Sequence, residues 1–219
     1  MDNFAVVFDM DGVIFDSERL VLDCWKLVAD RHGIPDIETT MRRCLGLNAA
    51  ATEQLVKERY GNDFDYKGFK AENSALFHEL ADGGRLPLKP GVRELLSGLK
   101  ARNIKIALAS STRKQVVEQE LKDAGLYDFF DIIVCGDMVS KSKPDPEIYL
   151  KACELLAVAP EAAYAIEDSH NGIKSAFAAG MKPIMVPDLM AASEEMKNMV
   201  IFVKKDLFEV LDYFKAIRL

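Results

Sequence analysis

The sequence predicts an α/β fold, a doubly wound parallel sheet with a helical region inserted into it. Three observations lead there: short continuous apolar runs, helical periodicity between them from Pro90 onward, and a long interval between the first and second runs that is helical throughout. The runs are Phe4 to Phe8, Ile104 to Ala109, Ile132 to Cys135, Ala163 to Ile166 and Ile184 to Val186, with a weaker one at Ile201 to Val203. Continuous apolarity over such lengths suits strands buried on both faces.

The intervening helices follow from spacing and stop signals. Val92, Leu95, Leu96 and Leu99 share one helical face; Val117, Leu121 and Ala124 precede Gly125, and Ile173, Phe177 and Ala178 precede Gly180, where helix-ending glycines belong. Pro144-Asp145-Pro146-Glu147 reads as a helix start with Asp145 as N-cap and Pro146 in the first turn. From Asp16 to Asp82 the apolar residues fall on helical faces: Leu20, Cys24, Leu27 and Val28, then Leu55, Val56 and Tyr60, then Phe69, Leu76, Phe77 and Leu80. The interval exceeds what a crossover needs. The expected organisation is a core of residues 1–15 and 85–219 and a small helical domain of residues 16–84. The joints are at Val13 to Asp16 and at Gly83-Gly84 to Pro90, a hinge-like stretch with two glycines and two prolines.

Composition narrows the class. With 219 residues, 49% of them hydrophobic, the chain can bury one sizeable core. A formal charge of −7 disfavours nucleic acid as the main ligand, because backbone binding needs a dense field of Lys and Arg. The N-terminus lacks a basic segment followed by a long apolar run, and no stretch is long and apolar enough to span a bilayer, so a cytoplasmic protein without a membrane partner is expected, acting as a monomer. Cys24, Cys44, Cys135 and Cys153 form no C-x-x-C pair and read as reduced, packed thiols; His32, His78 and His170 show no metal-ligand spacing.

Ligands of an open α/β sheet bind at the carboxyl ends of the strands. There the sequence places Asp9-Met10-Asp11-Gly12, Ser110-Ser111-Thr112, a loop leading to Lys143-Pro144, and Glu167-Asp168-Ser169. A carboxylate that attacks phosphorus is repelled by the phosphate, so a divalent cation and a nearby positive side chain must offset the charge. Asp9 is the expected nucleophile, with Asp9 and Asp168 holding Mg2+, Lys143 supplying the positive charge, and Ser110 with adjacent backbone N–H groups, including that of Ser111, holding phosphate oxygens. Asp11 is the expected acid, and then the base that activates water. Arg113 could grip a distal phosphate, and Asn48 and Arg43 are candidate substrate contacts.

These residues carry a family resemblance. FAVVFDMDG, IALASST, KPDP and IEDSHNG resemble the four motifs of the haloacid dehalogenase-like hydrolases, and the likeness covers nearly the whole chain. It implies a sheet order of 5-4-1-2-3 (Rossmann-like), a helical cap made by the insertion, the main-chain carbonyl of Asp11 as a metal ligand, and Glu167 supporting the metal through water. DMDGVIFDSE and AIEDSHNGIKSAFAAGM resemble most closely the branch of β-phosphoglucomutases and sugar-phosphate phosphatases. Where those mutases carry a histidine on the first cap helix this chain aligns Val21, and where they carry an arginine in the cap loop it aligns Ala49. Loss of both favours hydrolysis of a small phosphorylated metabolite over phosphosugar isomerisation. A phospho-accepting receiver-like module is disfavoured by Asp11 and the cap, and dehalogenation by the second Asp.

Taken singly, each motif has a plainer reading: Asp11-Gly12 as a turn, Ser110 as a helix cap, Lys143 as a surface lysine, Glu167-Asp168 as an acidic turn. Their joint occurrence at successive strand ends favours a site. Lys141 competes with Lys143, and Pro144 favours the latter. His170 reads as solvent-facing, and Arg42, Arg43, Lys57 and Arg59 as a solvated helix face.

Overall fold

The computed structural model describes residues 4–45, 47 and 49–217. Among them, six parallel strands form one sheet: β1 (Ala5–Phe8), β2 (Lys105–Ser110), β3 (Ile132–Cys135), β4 (Ala163–Glu167), β5 (Lys182–Met185) and β6 (Phe202–Val203), in the order β3-β2-β1-β4-β5-β6. The implied order is reproduced and extended by one strand, because the weak sixth run adds a two-residue edge beside Ile184 and Met185 of β5. The helices are α1 (Ser17–His32), α2 (Ile37–Cys44), α3 (Ala49–Tyr60), α4 (Tyr66–Ala81), α5 (Val92–Ala101), α6 (Lys114–Asp123), α7 (Glu147–Leu156), α8 (His170–Ala178), α9 (Glu194–Lys197) and α10 (Leu207–Ala216).

Strand alternation divides the core in two. Val6, Phe8, Ile106, Leu108 and Ile166 pack with Leu95, Leu96 and Leu99 of α5, Val117 and Leu121 of α6, and Val210 and Phe214 of α10. On the opposite face Ala5, Val7, Ala107, Ala109, Ala163 and Ala165 pack with Ile148, Tyr149, Ala152 and Cys153 of α7. The alanines leave room for Tyr149, which is fully buried. Helix α7 begins one residue later than the sequence suggested, with Pro146 as N-cap; Asp145 Oδ1 still accepts the Glu147 N–H at 3.1 Å, the first one available beyond the proline. Gly125 and Gly180 follow α6 and α8 as expected, and all four cysteines are buried and free.

Helices α1 to α4 occupy the interval between β1 and α5 and surround their own apolar cluster of Cys24, Val28, Ala29, Ile37, Phe69 and Leu76. Trp25 meets Phe69 edge-on, with ring centroids 5.1 Å apart. The two connections to the sheet run side by side: Asp16 N–H donates to Pro87 O at 2.8 Å, Lys89 N–H donates to Ile14 O at 2.9 Å, and Phe15 forms an antiparallel bridge with Leu88. Arg42, Lys57 and Arg59 pair with Glu38, Glu53 and Asp36 on the outer side of the helices, as a solvated face should. No helix among the described residues is long and apolar enough to cross a membrane.

Leu108 sits at the centre of the first core face with no solvent exposure. Leu108→Ala is expected to destabilise the protein by about 2–5 kcal/mol, read as a lower urea midpoint at unchanged slope; a loss well under 1 kcal/mol would contradict this assignment of the core.

Candidate active site

The sheet delivers four chain segments to one rim. Beyond β1, Asp9 N–H still donates to Ile166 O of β4 at 3.0 Å, so the first residue of the loop keeps the sheet's register. The chain then turns, with Ile14 and Phe15 N–H both donating to Met10 O. Gly12 has a φ of +79°, and a Cβ there would lie 2.3 Å from Asp168 Oδ2. The Asp11-Gly12 turn is therefore pressed against the carboxylate that follows β4, and only glycine fits. Gly172 in the first turn of α8 is constrained in the same way, since a Cβ would fall 1.8 Å from Glu167 Oε1.

Lys143 is the hub. Its Nζ donates to Asp9 Oδ1 at 2.6 Å, Glu167 Oε1 at 2.7 Å and Ala109 O at 3.0 Å, and it lies 4.9 Å from the Tyr149 ring centroid. Lys141, the competing cation, instead pairs with Asp145 on the surface. Glu167 is fully engaged: Oε1 also accepts Tyr149 O–H at 2.8 Å, while Oε2 accepts the N–H of Asp168 and Ser169 and the Ser169 hydroxyl. Its five donors make it a brace for Lys143 and for the loop that carries Asp168. Asp11 is held from two sides, by Ser17 O–H at 2.7 Å on Oδ1 and by Thr112 O–H at 3.1 Å on Oδ2.

Ser110 is fully buried at the end of β2, and its hydroxyl accepts the Thr112 N–H at 3.0 Å, which leaves its own hydrogen to donate. It does not cap α6, whose N-cap is Arg113. A cavity of about 480 Å³ opens above these groups, lined by Asp9, Asp11, Ser111, Lys143 and Asp168 from the sheet rim and by Leu45 and Leu47 from the connection between α2 and α3. His170, expected to face solvent, lines this cavity as the first residue of α8, with Nε2 3.0 Å from Ala191 O. Arg113 and Arg43 are exposed and are not among the lining residues. Asn48 lies outside the described residues. Val21 lines a different, smaller cavity among α1 and α4, beside Trp25 and Lys70.

Sequence reading missed Ser17, Thr112, Tyr149 and Glu18 as site residues. The Asp16-Ser17-Glu18 run held a signal in its closeness to Asp11, but only the return of Phe15 to bridge Asp11 makes that closeness a contact. Tyr149 read as one more apolar position of α7.

The electrostatics follow from burial. Burial pushes the Asp9 carboxyl up to about 8, with Lys143 opposing and Glu167 and Asp11 adding to the rise. Burial likewise holds Asp168 well above the usual carboxylate range, reinforced by Glu167, Asp9, Glu18 and Asp188. Burial alone would lower the Lys143 ammonium, yet Asp9 and Glu167 hold it well above its ordinary value. One lysine does not neutralise this many carboxylates. One oxygen from each of Asp9, Glu167 and Asp168 lies within 4.8 Å of the other two, and an all-oxygen, charge-deficient set of this kind fits a hard divalent cation.

The sequence profile of the haloacid dehalogenase-like hydrolases matches residues 6–186. The chain belongs to that family. Within it, the phosphorylated carbohydrates phosphatase of Thermotoga maritima is 38% identical over 184 residues, covering 82% of this chain and 83% of its own length. The β-phosphoglucomutase of Bacillus subtilis is 34% identical over 185 residues, covering 81% and 80%. The crystal structure of CbbY from Rhodobacter sphaeroides in complex with phosphate matches with a TM-score of 0.72 at 27% identity, covering 96% of each chain. Members of this hydrolase family generally use Mg2+, the kind of ion that the oxygen donor set suits.

A carboxyl raised from 3.8 to about 8 binds more protons folded than unfolded across that interval, so stability falls as pH rises through it. The metal-free protein is therefore expected to melt at lower temperature at pH 8 than at pH 5, and Mg2+ should raise the melting temperature more at pH 8. Thermal melts in chelator and in Mg2+ check this; an Mg2+ effect equal at both pH values would contradict it.

Proposed function

We propose that the chain is a Mg2+-dependent phosphatase that hydrolyses a small phosphorylated metabolite, with a sugar phosphate as the best-fitting class, through an aspartyl phosphate on Asp9. The observation that carries the reading is the pairing of Asp9 with a buried lysine beside a second carboxylate, Asp11, that holds its own hydrogen-bond partners. Similarity to a phosphatase of phosphorylated carbohydrates supports the substrate class.

In this reading Asp9 attacks phosphorus while Lys143 offsets the charge between nucleophile and phosphate. Ser110 O–H and the Ser111 backbone donate to phosphoryl oxygens. Asp11, oriented by Ser17 and Thr112, protonates the leaving oxygen and then takes a proton from the water that cleaves the aspartyl phosphate, so that the acid is restored. Asp9, Asp168 and the Asp11 carbonyl would hold Mg2+, which supplies positive charge at the phosphoryl oxygens; Glu167 positions Asp168 and Lys143. Residues 16–84 act as a cap over the rim, a role supported by Leu45 and Leu47 in the cavity wall.

A second reading, a β-phosphoglucomutase-type isomerase, has the Bacillus relative in its favour. Against it, Val21 stands where those mutases carry histidine and faces a separate cavity. Phosphate release over a panel of phosphorylated sugars tests both. Asp9→Asn should abolish release and Asp11→Asn should slow it by ~10²–10⁴-fold, while β-glucose 1-phosphate supplied with a bisphosphate activator should not accumulate glucose 6-phosphate. Retained turnover in Asp9→Asn would overturn the mechanism, and efficient isomerisation would replace the phosphatase reading.

A further inference from the structure

A second group of carboxylates shares Asp168 with the first. One oxygen from each of Glu18, Asp168 and Asp188 lies within 4.8 Å of the other two. Glu18 comes from the first turn of α1 and lines the same cavity as Asp9 and Asp168. Asp188 comes from the loop beyond β5, where Val186 N–H donates to Glu167 O at 2.7 Å and so anchors the loop to the rim.

Asp188 is an unusual partner for a surface loop to supply. Its side chain is 1% exposed. Lys89 Nζ donates to Oδ1 at 2.7 Å and also reaches Asp16 Oδ1 at 3.3 Å, so the lysine fixes the carboxylate in place from the side of the chain connections. The other oxygen, Oδ2, is buried without any hydrogen-bond partner. A buried carboxylate oxygen left without a donor is costly, and such atoms call for an explanation in a ligand, water or ion that would satisfy them. Glu18 adds a further carboxylate beside Asp168, and among the described residues it forms no ion pair with a lysine or arginine. Hydrated divalent cations offer what is missing, since Mg2+ keeps several water ligands and each polarised water has hydrogens to donate.

We infer that Glu18 and Asp188 form an outer carboxylate pair of the metal site, accepting hydrogen bonds from the water ligands of the divalent cation held at Asp9 and Asp168. The inference rests on the proposed metal role of Asp9 and Asp168 and extends it to residues outside the four motifs. Lys89 belongs to the same arrangement: by occupying Oδ1 it sets which oxygen of Asp188 is left for the water shell. Glu18 and Asp188 are thus positioning residues, acting through the cation's waters and not on the substrate.

Mn2+ binding by the 219-residue chain, followed by the electron paramagnetic resonance signal of free Mn2+ with no substrate present, tests the pair. Glu18→Gln and Asp188→Asn should each weaken Mn2+ binding ~10–100-fold, while Glu195→Gln, an exposed carboxylate paired with Lys174, should leave it unchanged. Asp188→Asn keeps an oxygen for Lys89, and thermal melts verify that each variant folds; if it fails to fold, Glu18→Gln decides alone. Wild-type affinity in folded Glu18→Gln and Asp188→Asn would overturn the inference and leave the metal site itself standing. Absence of Mn2+ binding in the unaltered chain would instead overturn the metal reading of Asp9 and Asp168 on which it rests.

Discussion

The Lys143 side chain is 7% exposed, and its ammonium sits between two carboxylates that pair with no other lysine or arginine among the described residues. Burying these three groups costs several kcal/mol each in lost hydration, and their mutual attraction recovers that only when geometry and hydrogen bonding are good. The geometry is supplied from three directions: β1 brings Asp9, β4 brings Glu167, and the loop before α7 brings the lysine across to the Ala109 carbonyl of β2. Removing the lysine would leave Asp9 and Glu167 buried together without their cation, a change of about 3–5 kcal/mol.

Much of the surrounding structure serves that arrangement. Alanines along the α7 face of the sheet make space for Tyr149, whose hydroxyl shares Glu167 Oε1 with the lysine and whose ring lies beside the ammonium. The glycines at 12 and 172 allow backbone to close on Asp168 and Glu167 where any side chain would collide. The sheet's register carries one residue past β1, which fixes Asp9 as firmly as a strand residue while exposing its carboxylate at the rim. Burial, reinforced by the negative charge of Glu167, Asp9, Glu18 and Asp188, raises the Asp168 carboxyl, and carboxylates remain in excess of the one lysine at the rim, a donor set that suits a divalent cation.

The parts of this design that are local in sequence were legible there. Continuous apolar runs marked β1 to β5 because most of their residues are buried, those of β1 and β4 without exception, and the motifs fell at the strand ends because that is where a parallel sheet presents loops. The edge strand β6 was legible only as a weak run, since two exposed residues carry little periodicity. What could not be read was pairing across distance. Thr112 meets Asp11 across 101 residues and Lys89 meets Asp188 across 99, and no spacing rule connects them. Ser110 and Ser111 illustrate a finer limit: adjacent in sequence, one is wholly buried and the other lines the cavity, a difference set by where the strand ends. His170 moved from an expected solvent-facing loop to the cavity wall because α8 starts at it.

In the proposed mechanism Asp9, paired with Lys143 and close to Asp11, is the centre of the chemistry. The most direct measurement is rapid acid quench during turnover of a phosphorylated sugar, followed by mass spectrometry of the peptides. The account predicts a phosphoryl group on the peptide containing Asp9, carried by Asp9 itself and absent without Mg2+; a phosphoryl group on any other residue, or turnover with none on Asp9, would contradict it.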